Sequence, residues 1–267
     1  MKKISILGCG WLGLPLAKAL LKNDYLVNGS TTSAEKLDVL KNAGIAPFLI
    51  VLSENKTTEN LTNFLENSEI LIIDVPPKLR GSGIENFVSK IRNVIPFIEK
   101  SSVRKVLFIS STSVYNDDDA SVTEETIPKP DTESGKQLLA TELLLLSNSN
   151  YKTTALRFGG LIGDDRHPIH FLAGRENLDN PDAPINLIHQ EDCIGIILKI
   201  IENGAWNETF NAVAPFHPSR EMYYSQKALD LDLALPKFNQ KNPSIGKTIL
   251  STKIETVLKY TFTKPNL

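Results

Sequence analysis

A chain of 267 residues, 41% hydrophobic and 22% charged, is composed as a packed globular protein, neither disordered nor fibrous. A formal net charge of −2 gives no broad positive field for a nucleic-acid backbone, and no apolar run reaches the roughly 18 residues that span a bilayer. Met1-Lys2-Lys3 leads directly into a strand-like run and not into a signal-peptide core, so the expected location is the cytoplasm, with no nucleic-acid or membrane partner.

Residues 4–7 form a short apolar run ending at glycines, which is how a buried parallel strand reads. From 11 to 22, Leu12, Leu16, Ala19 and Leu20 fall at helical spacing, with Pro15 early enough for a first turn. A second strand is expected at 25–29, then a helix carrying Leu37 and Leu40 that Thr32 and Glu35 would open as a capping box. Further strands are expected at 47–52, 70–75 and 106–110, with amphipathic segments at 60–66 and 84–100 between them. Such alternation demands a parallel sheet with right-handed crossovers. Beyond 110 the pattern loosens into an acidic loop at 116–130, a helix at 134–147 and a strand at 153–158. The last third is rich in Pro, Asn and His and shows short mixed elements without a repeat. Cys9 and Cys193 read as small buried packing residues, not as a disulfide.

The turn after the first strand is Gly8-Cys9-Gly10-Trp11-Leu12-Gly13. Gly8 permits the tight turn, Gly10 lets backbone approach a pyrophosphate, and Gly13 lets helix pack on strand. The helix start adds free N–H groups and positive partial charge. Because this spacing follows a strand and opens a helix, Gly8, Gly10, Trp11, Leu12 and Gly13 are assigned to the pyrophosphate of a nicotinamide dinucleotide. The fold class expected is α/β: a Rossmann doubly wound parallel sheet in residues 1–160, with a smaller mixed C-terminal substrate lobe in 161–267 that is interleaved with it.

A carboxylate about 20 residues further on would bind the ribose 2′-OH of NAD. That place reads Ser30-Thr31-Thr32-Ser33, with Lys36 nearby. No acid is there to repel a 2′-phosphate, so NADP is favoured over NAD and Thr31, Thr32 and Ser33 are placed at the cofactor. The same hydroxyls also suit the capping of the next helix. Asp74-Val75-Pro76-Pro77 closes the fourth strand, and Asp74 and Pro76 should border the cofactor.

Val106-Leu107-Phe108-Ile109 empties into Ser110-Ser111-Thr112-Ser113-Val114-Tyr115, at the strand end where such sheets bind ligands. Together with Leu156-Arg157-Phe158 and Gly163, Asn186-Leu187-Ile188-His189 and Asp192, and Phe210-Asn211-Ala212, this signature resembles the NAD-dependent epimerase/dehydratase group of the extended short-chain dehydrogenase/reductase superfamily. The resemblance covers most of the chain. It implies that Ser111 hydrogen-bonds the reacting substrate oxygen, with Ser110 at the cofactor and Ser113 at the substrate; a strand-end cap is the structural alternative for Ser111. It also implies a Tyr-x-x-x-Lys helix, where i and i+4 share a face and the ammonium lowers the phenol pKa. Thr132-Glu133-Ser134-Gly135-Lys136 keeps Lys136, assigned to catalysis and the nicotinamide ribose, but has Thr132 where the tyrosine stands. An aliphatic hydroxyl is far less acidic than a phenol, so the chain resembles the atypical branch that lacks the active-site tyrosine. Tyr115, Tyr223 and Tyr224 are candidate replacement acids, each also suited to packing.

Arg166 and His167, in Gly163-Asp164-Asp165-Arg166-His167-Pro168, are expected over the cleft to bind an anionic substrate or relay a proton, or else in a solvated loop. His189 with Asp192 would anchor a loop over the substrate. Asp117, Asp118 and Asp119 read as a solvated hinge. His167 and His170 lack a carboxylate or cysteine cluster to complete a tetrahedral set, so no metal is expected. Three functions follow: an NAD(P)-dependent oxidoreductase or epimerase/dehydratase-like enzyme acting on a small molecule, a dinucleotide-binding regulator or sensor without turnover, and a β-hydroxyacid dehydrogenase, whose opening resembles residues 8–22 but which continues into a mostly helical domain. The substrate is not encoded in any motif. A homodimer fits the resemblance, because helices of this superfamily often pair.

Overall fold

The computed structural model describes residues 1–55, 60–77, 86–118 and 120–267. Strands β1 (Lys3–Leu7), β2 (Leu26–Thr31), β3 (Ala46–Leu49), β4 (Ile70–Ile73) and β5 (Lys105–Ser111) alternate with helices α1 (Gly13–Lys22), α2 (Leu37–Asn42), α3 (Leu61–Leu65), α4 (Phe87–Arg92) and α5 (Ile95–Lys100). Then come β6 (Ser121–Val122), α6 (Glu133–Leu146), β7 (Lys152–Phe158), β8 (Gly160–Ile162), α7 (Ile169–Leu172), β9 (Leu187–His189), α8 (Gln190–Asn203), β10 (Thr209–Ala212), α9 (Arg220–Asp230), β11 (Thr248–Ile249) and α10 (Thr252–Leu258).

Seven strands form one sheet in the order β10-β7-β5-β4-β1-β2-β3, every pair parallel. This is the doubly wound architecture expected from the alternation. Its inner strands bury both faces, as the apolar runs of β1, β4 and β5 require, while edge strand β3 stays partly exposed. Ile4, Ile6, Ile70, Ile72 and Leu107 pack on the side of α1, α2 and α8, while Leu71, Ile73, Val106 and Phe108 pack on the side of α3 to α6. Strand order reverses between β1 and β4, so their carboxyl ends frame the crevice where such sheets take ligands.

The sheet does not stop at Phe158. Thr209–Ala212 adds a seventh strand beside β7, and Cys193, Ile196, Ile197 and Ile200 of α8 enter the same core as α1. Residues 161–267 thus supply both sheet edge and core, and a separate cluster of Ile162, Ile169, Ile185, Leu187, Tyr223, Tyr224 and Ala228. Cys9 and Cys193 are free and buried. Among the described residues no helix is long and apolar enough to cross a membrane.

Three local differences from the expected elements matter for the site. β2 extends through Ser30 and Thr31, which pair with Phe48 and Leu49, so these two hydroxyls lie on a strand and not in a loop. β3 ends at Leu49, with the Ile50 amide still donating to the Thr31 carbonyl oxygen at 2.9 Å. The segment expected at 84–100 is two helices, since Pro96 has no N–H to continue the first and sits instead in the opening turn of α5; residues 84 and 85 lie outside the described residues.

Candidate functional site

At the β1–β4 end the crevice is made of backbone. Gly8 has φ +112°, and a Cβ there would meet the Asp74 carbonyl oxygen at 2.2 Å. A Cβ on Gly13 would meet the Gly8 carbonyl oxygen at 2.2 Å, so α1 can start this close to β1 only without a side chain. A Cβ on Gly10 would meet nothing within 4 Å, because it would enter open space. The Gly8 amide donates to Ser30 Oγ at 2.9 Å and the Cys9 amide to the Ser30 carbonyl at 2.7 Å, which ties the turn to β2. Among the described residues the amides of Trp11 and Leu12 have no acceptor.

A cavity of about 440 Å³ opens beside this turn. Its walls are Leu7 to Gly10, Ser30 to Thr32, Ile50 to Leu52 and Asp74 to Pro76, closed by Lys36, Phe87 and Lys90. Burial pushes the Asp74 carboxyl up to about 8, against the opposing effect of the Gly13 amide that donates to it, so it is largely protonated at neutral pH. Burial likewise lifts the Cys9 thiol to about 12, which leaves it an inert packing group. The expected capping box is not formed: Ser33 is the cap of the short turn Ala34–Lys36 without a side-chain bond, and Thr31 Oγ1 accepts from the Ser33 amide at 3.2 Å.

Trp11 is fixed from the C-terminal part of the chain. Its Nε1 donates to Asp165 Oδ1 at 2.8 Å, Gln190 Nε2 donates to its carbonyl oxygen at 2.8 Å, and the Arg166 guanidinium lies 4.9 Å over its ring. The exposed loop carrying Arg166 is therefore anchored on the glycine turn.

At the β5 end the signature hydroxyls are engaged in structure. Ser110 donates to Glu142, a buried carboxylate that Arg157 Nη2 meets at 2.6 Å. Arg157 Nη1 in turn donates to the Tyr115 hydroxyl, which lies 3.1 Å from both the Thr123 carbonyl oxygen and Asn211 Oδ1. Tyr115 is 3% exposed, and burial pushes its phenol pKa up. This corrects its assignment as a proton donor at the cleft: the turn Thr112–Val114 aims the ring into the core, where it packs. Ser111 Oγ accepts from the Ser113 amide at 3.1 Å, the strand-end cap, and both residues stay half-buried.

Thr132 does not stand within a helix. It is the cap of α6, with Oγ1 accepting from the Gly135 amide at 3.1 Å. Gly135 is pressed on the Ser113 carbonyl oxygen, while Lys136, one residue and about 100° further around the axis, is exposed. Among the described residues no hydrogen bond or ion pair joins the Lys136 ammonium to any group.

The remaining expected residues fall elsewhere. His189 caps α8 through Nδ1, which accepts from the Glu191 amide at 3.3 Å, and its Nε2 lies 3.7 Å from Asp164. Asp192 is buried and accepts from Tyr260, Thr263 and Lys264, so it pins the C-terminal segment. His167 Nδ1 accepts from the Ile169 amide at 3.1 Å and Nε2 lies 2.9 Å from the Tyr223 hydroxyl. Burial, with Lys227 and His170 adding, lowers its pKa to about 4, so the ring is neutral with the proton on Nε2. Asp117 pairs with Lys247 at 2.8 Å, which ties it to the C-terminal segment; Asp119 lies outside the described residues. Among the described residues no three His, Cys, Asp or Glu side chains gather as a metal site.

Sequence reasoning did not find Ile50 to Leu52, Phe87 or Lys90 as cavity walls. Their signal was a strand or helix pattern, and only the sheet order brings them beside the glycine turn.

No protein-family model matches the chain. Protein YeeZ of Escherichia coli K12 is 32% identical over 268 residues, spanning 100% of this chain and 97% of YeeZ. The structure of a putative NAD-dependent epimerase/dehydratase from Methylobacillus flagellatus is 25% identical, with TM-score 0.82 over 99% of this chain and 94% of that one. A UDP-glucuronic acid 4-epimerase from Bacillus cereus, solved in complex with NAD, shares the fold at 20% identity and TM-score 0.81, over 98% of this chain and 92% of its own.

Proposed function

Because the chain belongs to the family of YeeZ, within the NAD-dependent epimerase/dehydratase group of extended short-chain dehydrogenases/reductases, we propose that it is a cytoplasmic NAD(P)-dependent oxidoreductase or epimerase-like enzyme that binds NADP(H) at the ends of β1, β2 and β4. The observation that carries the reading is the cradle. Gly10 faces open space, the Trp11 and Leu12 amides lack acceptors among the described residues, and a helix N-terminus stands behind them, which is the donor set a pyrophosphate takes. Support for NADP over NAD is the β2 end, where Thr31, Thr32, Lys36 and Lys90 line the cavity without the carboxylate that would repel a 2′-phosphate. Asp74, largely protonated at neutral pH, adds little opposing charge.

Bound nicotinamide supplies or accepts hydride. The chain's part is to hold it, to exclude water, and to orient the substrate oxygen. Ser111 suits the last of these roles, because its oxygen accepts from the Ser113 amide and its own proton is left to donate. Roles for Ser113, Lys136 and Arg166 at nicotinamide and substrate belong to the same reading.

A specific observation favours a second reading, a dinucleotide-binding sensor without turnover. Thr132 is spent on a helix cap and Tyr115 is sealed in the core, so the first position has no phenol and the second no access. Fluorescence titration with NADPH and NADH, followed by assay over carbonyl and sugar-nucleotide substrates, separates the readings. Tighter binding of NADPH by about tenfold, ~1.4 kcal/mol, is expected, with the preference lost in Lys36→Ala; binding without turnover on any substrate selects the sensor, and no binding by folded protein overturns both.

A further inference from the structure

The helix that opens at the glycine turn has a gap in its own hydrogen bonding. The Leu14 amide donates to the Gly10 carbonyl at 3.1 Å and the Leu16 amide to the Leu12 carbonyl at 3.1 Å, so the helical ladder runs on both sides of Trp11. The donor between them would belong to residue 15, and Pro15 has no N–H. The Trp11 carbonyl therefore has no partner to expect inside α1. Gln190, the first residue of α8 and 179 positions away, fills that place, because its Nε2 donates to the Trp11 oxygen at 2.8 Å.

The consequence lies on the other edge of the same peptide unit. Trp11 C=O and Leu12 N–H share one rigid trans plane and point in opposite directions, so whatever holds the carbonyl aims the amide. Leu12 N–H is one of the two donors of the turn without an acceptor among the described residues. The other, Trp11 N–H, is aimed from within the helix by the Leu14 bond to Gly10, whereas Leu12 depends on a side chain from α8. A hydrogen bond on the carbonyl also polarises the peptide and strengthens its N–H as a donor. The surroundings keep Gln190 in place. Trp11 Nε1 is held by Asp165 at 2.8 Å, and a Cβ on Gly163 would stand 2.8 Å from the indole and 3.5 Å from the Gln190 Cβ.

We infer that Gln190 is a positioning residue for the dinucleotide: standing in for the N–H that Pro15 lacks, it aims the Leu12 amide at the pyrophosphate. The inference rests on the proposed cofactor site and adds to it a residue from the last third of the chain. The donor set of residues 8–13 is completed by α8, not by the strand and helix that carry it.

Fluorescence titration of the full chain with NADPH tests this. Gln190→Leu should weaken NADPH by about three- to tenfold, the range for one lost hydrogen bond. Gln190→Asn, which keeps an amide but withdraws it by one methylene, should do the same and takes over the test if the leucine variant does not fold. Pro15→Ala is then added to each Gln190 variant. It restores an N–H four residues after Trp11, and affinity should return to within about twofold of wild type. A packing role for Gln190 would not respond to a new donor in α1. Unchanged affinity in the Gln190 variants, or a loss that Pro15→Ala does not recover, overturns the inference while the cofactor site stands. Folded wild-type protein that binds no NADPH overturns both.

Discussion

The two ends of the crevice are made of different material. Between β1 and β4 it is backbone: a glycine at φ +112°, a second facing open space and a third touching carbonyl oxygen, with two amides unclaimed. At the end of β5 it is side chains, and several of them are engaged in structure, Ser110 and Tyr115 with the Glu142–Arg157 pair and Thr132 with its own helix. Cofactor binding depends on backbone geometry that glycines specify locally. Proton transfer depends on side chains whose direction the rest of the fold decides, and here the fold has directed them to stability.

The largest effect should come from the side-chain end. Arg157 and Glu142 have side chains 6% and 1% exposed, so Glu142→Leu strands a buried guanidinium. A loss of about 3–5 kcal/mol is expected by urea denaturation, while NADPH affinity of the folded fraction stays unchanged. Altered affinity with intact stability would mean that this network serves the ligand.

Next come two glycines that look alike in sequence and should behave oppositely. Gly8→Ala forces a Cβ onto the Asp74 carbonyl oxygen at positive φ, and the backbone strain alone is worth about 1–3 kcal/mol. Gly10→Ala meets nothing, so its stability should stay within about 0.5 kcal/mol of wild type, yet its methyl enters the cradle and should weaken NADPH by about tenfold or more, ~1.4 kcal/mol. Equal behaviour of the two variants in both assays would break the distinction.

Of a different kind is the pH dependence set by Asp74. Its pKa rises from 3.8 to about 8 on folding, so between those values the native state holds more protons than the unfolded one. Stability from this group is therefore fully present below about pH 4 and declines as pH rises toward 8. Ionisation beside the phosphates should also weaken NADPH as pH passes 8, and Asp74→Asn should flatten both profiles. A wild-type profile in Asp74→Asn would assign the titration elsewhere. Smallest is Thr132→Ala, which should cost about 1 kcal/mol as a lost cap and leave NADPH affinity and turnover alone; lost turnover would restore a chemical role to that hydroxyl.

The same contrast explains what could be read from residue order. Mostly apolar runs such as 4–7 and 106–110 gave away parallel strands because burial on both faces leaves few polar positions. β10 escaped notice because its residues, Thr-Phe-Asn-Ala, hold no continuous apolar run, and it joins the sheet only through β7. Gly8, Gly10 and Gly13 were legible because their constraint is local. Tyr115 was not, because its partners Arg157 and Asn211 lie 42 and 96 positions away. The Thr132–Lys136 spacing does not give a shared helical face, because that needs both residues inside the helix and Thr132 is its cap.

The most direct measurement follows the amide resonances of Trp11 and Leu12 in 15N-labelled protein as NADPH is added. Saturable shifts of both are expected, reduced in Gly10→Ala while that variant stays folded. Resonances that remain in place at NADPH concentrations where the rest of the spectrum reports binding would contradict a pyrophosphate held by the glycine turn.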